Sequence, residues 1–325
     1  IGVYFLITQL LEKKMVHFAK ASAALIIAAV IAVLPNVGSL WGTQEYVKET
    51  IRGGSSELTQ KKQASDGGLD FDYASRWSYG LGDGEILSLL IPNIKGGASG
   101  GELSESSNTY QEMLKKGVAE TTAQRYIKQM PLYWGNQPFT SGPVYFGAAI
   151  IFVFVLSMLV WRNNIKWVFL GLAVFSILLA VGHNSPFFKL MFNLLPAFNK
   201  FRNPSMALVI AQLCVPLVAL LGLNEIFSGK IPADELLKKL KISGGVVIGI
   251  IVVFGLLGGV FFNFSSAGDK QYYDAGNGWL IDAIKKDRAD LLRTDAFRSF
   301  VFVGIALPCM LPMSCRCDYP SLWGA

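Results

Sequence analysis

Long runs without a charged residue limit what this chain can fold into more than any other feature of its sequence. Residues 146–160, FGAAIIFVFVLSMLV, form one such run. A helix needs about 20 predominantly apolar residues to cross about 30 Å of hydrocarbon. Only 16% of the 325 residues are charged, whereas a soluble domain carries about 25%. We therefore predict a polytopic membrane protein.

The predicted spans are the segments in which charge disappears for long enough. They are residues 21–40, 143–161, 166–182, 204–227 and 243–263, with a final partial span from about residue 296. These runs lack the alternating polarity of barrel strands, and backbone groups in lipid must be paired within the segment, so helices are predicted. The predicted fold class is all-α: a polytopic transmembrane helical bundle with a large, partly helical extracytoplasmic loop.

Residues 1–11 resemble the last half of another span, so residues 1–40 are predicted to hold one partial and one complete transmembrane helix. The chain is accordingly expected to be an internal fragment of a longer protein. Four transmembrane helices are predicted within residues 143–263. Two G-x-x-x-G spacings in the last of them, at Gly245 and Gly249 and at Gly255 and Gly259, favour close helix packing within this bundle over dimerisation.

Basic residues in the short connections predict which side of the membrane each connection faces. The basic connections hold Lys13, Lys14 and Lys20, then Arg162 and Lys166, then Lys230, Lys238, Lys239 and Lys241. They alternate with residues 41–142, 183–203 and 264–295, which are therefore predicted to be extracytoplasmic. The net charge of +6 is thus explained by topology. No basic stripe with interleaved aromatic residues predicts binding to nucleic acid.

The connection HNSPFFKLMFNLLPAFNKFRN, residues 183–203, predicts a short helix on the outer membrane surface. Ser185 followed by Pro186 is a helix-start signal. The apolar face that follows is about ten residues long, too short to cross a bilayer, so residues 185–195 are predicted to form an interfacial amphipathic helix.

Cations in this connection oppose the usual bias of basic residues towards the cytoplasm. Lys200 and Arg202 either extend towards lipid headgroups or bind an anionic ligand. Arg202 is the leading candidate for a phosphate contact, because the guanidinium fork matches phosphate oxygens. His183 lies where a span meets the outer surface; capping or solvation is favoured there over catalysis, and His183 is counted among the substrate-binding candidates.

The stretch YWGNQPFTSGPVY, residues 133–145, crowds aromatic and amide side chains against the start of a predicted span. Tyr133, Trp134, Phe139 and Tyr145 are predicted to form an aromatic belt at headgroup depth. A belt leaves the adjacent amides of Asn136 and Gln137 unexplained. Rings and amides together also bind sugars, by stacking and by hydrogen bonds, so Trp134, Asn136 and Gln137 are substrate-binding candidates.

The long outer loop contributes carboxylates between two predicted helical regions, residues 43–62 and 106–130. Asp83 and Glu85 are either the wall of a binding site or solvated turn residues. Asp70 and Asp72 match a D-x-D pattern that some transferases use for a metal-nucleotide, but this spacing is common by chance. Residues 86–92, ILSLLIP, are predicted to rest against the membrane surface.

No cofactor is evident from the sequence, and neither a divalent metal nor a metal cluster is supported. Three cysteines, Cys309, Cys315 and Cys317, lie near the end of the chain without a following histidine, which argues against a zinc site. Residues 296–325 are described best as a partial span followed by an atypical tail.

Five segments together resemble the middle of the bacterial YfhO-family membrane proteins, particularly those of Bacteroidetes. They are RGGSSELT, GLDFDYASRWSYG, LLIPNIKGGASGG, YWGNQPFTSGPVYFGA and LPAFNKFRNPSM, in this order. The resemblance extends from about residue 1 to about residue 305.

This resemblance implies a GT-C-type transferase in the bacterial cytoplasmic membrane. Such an enzyme moves sugar from a polyprenyl-phosphate carrier in the lipid bilayer to an extracytoplasmic acceptor, here an envelope glycopolymer or glycolipid. The family's acidic base is expected in an outer loop upstream of this chain, so no catalytic residue is assigned and the chain alone is expected to be inactive.

Two other classes of protein remain open. A transporter or flippase of lipid-linked substrates commonly needs an ionisable residue in mid-membrane, and residues 144–160 and 244–262 contain none. A non-catalytic membrane scaffold is excluded by no feature of the sequence.

Overall fold

The computed structural model describes residues 2–12, 15–48, 50, 69–80, 84–182, 185–195, 198–229 and 231–315. Within these residues the protein is all-helical, and the only extended pairing is an isolated antiparallel bridge between Gly101 and Met130. The all-α prediction is confirmed at this level.

The helices, in the order of the chain, are α1 (Gly2–Leu11), α2 (Met15–Val33), α3 (Val37–Lys48), α4 (Phe71–Ser75), α5 (Asn108–Lys115), α6 (Glu120–Tyr126), α7 (Ala148–Val160), α8 (Ile165–Ala180), α9 (Pro186–Leu194), α10 (Leu208–Phe227), α11 (Ala233–Ile250), α12 (Gly258–Phe261), α13 (Asp269–Asp274) and α14 (Gly278–Cys315). Short connections join most of the helices from α7 onwards, whereas longer segments separate α3 from α4, α4 from α5 and α6 from α7. A π-helical stretch, Ile251–Leu256, continues α11. Short 3₁₀ turns occupy Glu85–Leu89, Phe198–Lys200 and Pro204–Ala207.

Three helical segments in the described part of the chain are long and apolar enough to cross a membrane. They are Met15–Val47, Pro204–Phe227 and Ala233–Leu256. The apolar helices α7 and α8 are shorter, at 13 and 16 residues. These lengths and compositions indicate a membrane protein, whereas the number of passes and their orientation stay predictions.

Five helices, α7, α8, α10, α11 and α14, pack into one bundle. α10 lies against α7 and α8, and α14 lies against α11 and its π-helical continuation. One apolar core joins α7, α10, α11 and α14, and a second joins α7, α8 and α10. At the crossing of α7 and α10, Ser157 Oγ donates to the carbonyl of Ala219 at 3.2 Å.

The described residues of the range 69–147 (69–80 and 84–147) together with α13 form a second layer, called here the loop layer, against this bundle. Its own apolar core includes Tyr110, Met113 and Ile127 and is completed by Ile281 and Ile284 of α14. The first half of α14 therefore belongs to the loop layer and the second half to the bundle.

The loop layer also extends into the bundle core. Leu90, Ile91 and Ile94 are buried among residues of α7, α11 and α14. Two polar contacts from α14 hold this segment, because Ser299 Oγ donates to the carbonyl of Leu90 at 3.1 Å and Asp295 accepts from the amide of Asn93 at 3.1 Å. The prediction that residues 86–92 rest on a membrane surface is wrong for this reason.

The predicted connection over residues 264–295 is largely helical, and its location outside the membrane stays a prediction. α13 begins at Asp269, and α14 runs without interruption from Gly278 into the predicted final span. The loop layer binds the polar residues in the first half of α14. Asp287 accepts hydrogen bonds from the backbone amides of Asn108 and Thr109 at 2.7 and 2.8 Å and thereby caps the start of α5.

Arg288 makes the strongest connection between α14 and the loop layer. Its guanidinium is 0% exposed. It donates to both carboxylate oxygens of Asp269 at 2.8 and 3.0 Å, and to the carbonyls of Pro131, Leu132 and Phe264. A charged group this deeply buried is tolerated only when it is paired and fully hydrogen-bonded, and Arg288 meets both conditions.

The segments before the loop layer and between α8 and α10 agree with the predicted pattern in part. Helix α3 ends at Lys48, beyond the predicted end of the span at residue 40. Residues 51–68 lie outside the described residues. A helix occupies Pro186–Leu194 within the predicted segment 185–195. Its location at a membrane surface stays a prediction.

Candidate functional site

A cavity of about 240 Å³ lies where the loop layer meets the start of α10. Trp77 and Tyr79 form one side, residues 137–144 form another, and Arg202, Asn203 and Ser205 form the third. The structure thus brings together two of the predicted site residues, Arg202 and Gln137, which are 65 positions apart in the sequence.

Arg202 stands at this cavity against an aromatic wall. Its guanidinium carbon lies 4.6 Å from the centre of the Trp77 ring. The Trp77 ring meets the rings of Tyr73 and Phe139 edge to face, each at 5.9 Å. Among the described residues no carboxylate pairs with Arg202 and no hydrogen bond engages its exposed side chain. Stacking on Trp77 is therefore the contact that positions this cation at the cavity.

Backbone contacts position the walls of this cavity. Asn203 caps the 3₁₀ turn Pro204–Ala207, its side chain accepting from the amide of Ser205 at 3.2 Å. The amide of Tyr79 donates to the carbonyl of Ala180 at the end of α8, at 2.8 Å. The Tyr79 hydroxyl in turn accepts from the amide of Val144 at 3.1 Å. These contacts tie the cavity to both α8 and α10.

The pKa of Tyr79 lies above its ordinary value. Burial is the main cause, the hydrogen bond from Val144 opposes it, and the negative charge of Glu85 adds to it. Tyr79 is therefore a neutral hydroxyl at physiological pH, available as a hydrogen-bonding group.

Glu85 lies behind Gln137 and is only 3% exposed. One carboxylate oxygen accepts from the Tyr133 hydroxyl at 2.6 Å and from the Gln137 amide at 3.1 Å. The other accepts from the amide of Gly80 at 3.1 Å. The reading of Glu85 as a solvated turn residue is wrong, because the folded loop surrounds it with donors.

A second, much smaller cavity of about 10 Å³ adjoins Glu85 and is also lined by Lys95. This is room for about one water molecule. Tyr79, Gln137 and Thr140 line both cavities, so the Glu85 network lies directly beneath the larger one. Gln137 connects the two, since it faces the larger cavity and hydrogen-bonds Glu85.

A glycine allows the tight turn that creates this network. The backbone at Gly135 passes so close to the Tyr133 ring that a Cβ there would overlap its hydroxyl. This approach lets the amide of Gln137 donate to the Tyr133 hydroxyl at 3.0 Å. The asparagine and glutamine noticed in the sequence are thus separated by the fold: Gln137 points to the cavity, and Asn136 is exposed without lining it.

Trp134 is placed elsewhere, in the bundle core. It is 6% exposed and its ring lies 5.5 and 5.3 Å from the rings of Phe262 and Phe264. Lys95 Nζ lies over it at 3.8 Å. Trp134 lines neither cavity.

The predicted aromatic belt must accordingly be corrected. Tyr133 and Trp134 are buried by the loop layer and the bundle, so their rings are core residues. Phe139 is 60% exposed, and Tyr145 is half-buried with its hydroxyl accepting from the amide of Ala148 at 2.9 Å. Of these four side chains, only Phe139 has more than half of its surface exposed to solvent.

The remaining candidates fall into three groups. Lys200 is half-buried in the turn Phe198–Lys200 and does not line the cavity. His183 and Asp83 lie outside the described residues. Asp70 of the D-x-D pattern caps α4, accepting from the amides of Asp72 and Tyr73 at 3.0 and 3.1 Å. A capping role therefore accounts for Asp70 without a metal.

Within the described part of the chain, no group of three or more histidine, cysteine or carboxylate residues is placed to hold a metal ion. Sequence reasoning missed Trp77, the ring on which Arg202 stacks. The available signal was its place in the aromatic run FDYASRWSYG, residues 71–80.

The arrangement offers a fixed cation, flat aromatic surfaces and an amide around a cavity at the end of an apolar helix. These are the groups that bind a phosphate and an adjoining sugar. Comparison of the chain with family models, curated proteins and solved structures finds no match.

Proposed function

We propose that this chain is the donor-binding part of a GT-C-type transferase of the bacterial cytoplasmic membrane, related to the YfhO family. The full protein would move sugar from a polyprenyl-phosphate carrier to an extracytoplasmic envelope glycopolymer or glycolipid. In this proposal the helical bundle is polytopic and the loop layer faces outside. The observation that carries it is Arg202, stacked on Trp77 at a cavity beside the start of α10.

The position of Arg202 suits a lipid phosphate. The apolar segment Pro204–Phe227 begins two residues after it; if this segment spans the bilayer, the guanidinium would lie where the headgroup region meets hydrocarbon. A polyprenyl chain would lie along the apolar bundle surface while its phosphate meets Arg202. Two parallel hydrogen bonds from a guanidinium to phosphate oxygens give both affinity and orientation.

The sugar would then enter the cavity itself. The exposed ring of Phe139 could stack on the sugar, and Gln137 and the neutral hydroxyl of Tyr79 are hydrogen-bonding groups for sugar hydroxyls. Glu85 supports this side by holding Gln137 in its rotamer. Its own contacts, from Tyr133, Gln137 and Gly80, make it a positioning residue.

Binding of polyprenyl phosphate to the full-length protein in nanodiscs tests the phosphate contact. Arg202→Ala should weaken binding by about 1.5–3 kcal/mol, the range for a hydrogen bond to a charged group. Arg202→Lys should recover only part of this, because the bidentate fork is lost. Arg162→Ala is the matched control, since Arg162 is an exposed arginine at the far end of α7. Unchanged affinity in Arg202→Ala would remove Arg202 from the site.

Comparing carriers with and without the sugar tests the rest of the cavity. Phe139→Ala should lower affinity for the sugar-bearing carrier and leave affinity for bare polyprenyl phosphate unchanged. Equal losses for both carriers would place Phe139 on the lipid rather than the sugar.

A further inference from the structure

A cavity of about 700 Å³ opens on another part of the loop layer and shares no residue with the Arg202 cavity. One wall is the end of α6 and the turn after it, with Arg125, Tyr126 and Gln129. The other wall is α13 and the start of α14, with Tyr272, Asn277 and Trp279. We call this cavity the aromatic groove.

The aromatic groove presents ring faces and unused hydrogen-bond donors together. Tyr126 is 58% exposed. Trp279 and Tyr272 are half-buried: each packs against the apolar core of the loop layer and also lines the groove. Within the described residues, no hydrogen bond or ion pair engages the side chains of Arg125, Gln129 and Asn277. Rings flanked by amide and guanidinium donors match a sugar, whose C–H face stacks and whose hydroxyls accept hydrogen bonds.

The two walls are fixed relative to each other before any ligand arrives. Arg288 donates to the carbonyl of Pro131 on one wall at 2.6 Å and to Asp269, the first residue of α13, on the other. Gly276, in the left-handed region at φ 76°, ends α13, and the amide of Asn277 donates back to the carbonyl of Tyr272 at 2.8 Å. A preformed site binds with a smaller loss of conformational entropy.

The place of the aromatic groove along α14 separates it from lipid chains. Trp279 is near the start of α14, and the predicted span begins near Ala296, which is about 25 Å further along the helix axis. A hydrocarbon tail in the bilayer does not reach that far. A soluble or cell-surface polymer does.

We propose that the aromatic groove is a glycan-binding site, which takes an oligosaccharide segment of the acceptor through stacking on Tyr126, Tyr272 and Trp279. This proposal rests on the proposed function for the placement of the loop layer outside the membrane. Its test does not depend on transferase activity or on Arg202.

Oligosaccharide binding to the chain in nanodiscs tests the site, with maltohexaose as a neutral probe and a galacturonate hexamer as an acidic one. At least one probe should bind saturably, and Tyr126→Ala should weaken it by about tenfold because one stacking face is lost. Tyr126→Phe should keep most of the affinity, since the ring remains. Tyr46→Ala, which removes an exposed tyrosine of α3, should have no effect. A preference for the acidic probe should disappear in Arg125→Gln.

The proposal is overturned if neither probe saturates the site below about 10 mM, which is an extremely weak affinity. It is also overturned if Tyr126→Ala binds the probes as tightly as the unchanged chain. Binding of pentaglutamate, with both oligosaccharides inert, would overturn it as well and would assign the aromatic groove to a peptide. Arg202→Ala should leave oligosaccharide binding unchanged, and Tyr126→Ala should leave polyprenyl phosphate binding unchanged. Failure of this site is therefore distinguishable from failure of the Arg202 site.

Discussion

The hydroxyl of Tyr133 shows how a single residue organises the Arg202 cavity. It donates to Glu85 at 2.6 Å and accepts from the amide of Gln137 at 3.0 Å. The same glutamate accepts from the Gln137 side chain. One buried tyrosine thus orients the amide that faces the cavity, although the tyrosine itself has little exposed surface.

We expect Tyr133→Phe to loosen this part of the loop layer by about 1–3 kcal/mol, the cost of leaving buried polar groups without a partner. Hydrogen exchange at the amide of Gln137 measures the change directly, because that amide loses its acceptor. Tyr126→Phe is the control, since the hydroxyl of that exposed residue makes no hydrogen bond within the described residues, and its effect should stay within about 0.5 kcal/mol. Equal exchange in the two variants would show that the network does not hold residues 133–137.

At the scale of elements, close approach between helices is decided by particular glycines. Gly222 of α10 faces Ser157 of α7, and Gly255 faces Ala296 of α14; a Cβ at either glycine would overlap its neighbour. By contrast, Gly245 and Gly249 of α11 meet nothing within 4 Å. Of the two G-x-x-x-G spacings, only the later one therefore contributes a contact to the bundle. Gly222 belongs to neither spacing, yet it lies closer to a neighbouring helix than Gly245 or Gly249 does.

The same substitution at two helical glycines should therefore have opposite effects. Gly222→Ala should destabilise the bundle by about 1–3 kcal/mol, the usual cost of overpacking a filled core. Gly245→Ala should be neutral or stabilising by up to about 1 kcal/mol, because it adds helix propensity in open space. Thermal unfolding of both variants in the same detergent measures the difference. Unchanged stability in Gly222→Ala would contradict the packing of α7 against α10, and an equal loss in Gly245→Ala would contradict the open surroundings of Gly245 on α11.

At the scale of the whole molecule, α14 joins the loop layer to the bundle. Its first half is held by Asp269 through Arg288 and by the start of α5 through Asp287, and its second half packs on α11. The pKa of Asp269 lies below its ordinary value. Burial acts in the opposite direction, but the hydrogen bonds from Arg288 and Ser266 outweigh it.

This pair should make the attachment of the loop layer sensitive to acid. Because the pKa of Asp269 is lower in the folded protein, its contribution is complete above the unfolded-chain pKa of about 4 and is lost as the pH falls through the folded-state pKa. Asp269→Asn should cost about 3–5 kcal/mol at neutral pH, since Arg288 is left buried without its partner. The stability difference from wild type should shrink below about pH 4. A difference that is constant with pH would mean that Asp269 does not titrate in this range.

Topology is tested at the same scale with single cysteines in a chain whose own cysteines are replaced by serine. Asp274 in the loop layer and Lys238 of α11 are both exposed, so cysteine at either position is accessible to reagent from its own side. In intact cells an impermeant thiol reagent should label Asp274→Cys and not Lys238→Cys. Labelling of position 238 alone would invert the proposed orientation.

The sequence by itself determined the class of the protein and several of its elements. Charge-free runs of sufficient length can bury their backbone polar groups only as helix, and this local rule predicted helices at α7, α8, α10 and α11. The ends of α7, α8 and α10 are shifted by a few residues, whereas α11 begins at Ala233, ten residues before the predicted start at residue 243. Ser185 and Pro186 likewise predicted the start of α9. Arg202 and Gln137 were singled out from residue type alone, and the structure places both at one cavity.

Only the tertiary structure decided which polar and aromatic residues are inside. The sequence left Glu85 open as a solvated turn residue and gave no sign that Asp287 and Arg288 are buried. A charged side chain is buried only when distant donors or acceptors complete it, and those partners lie up to 179 positions away. Trp134 read as an interface residue because the rings that enclose it, Phe262 and Phe264, come from a distant segment. Helix formation depends on near neighbours and is visible in a short window of sequence. Burial of polar groups depends on contacts that exist only once the chain has folded.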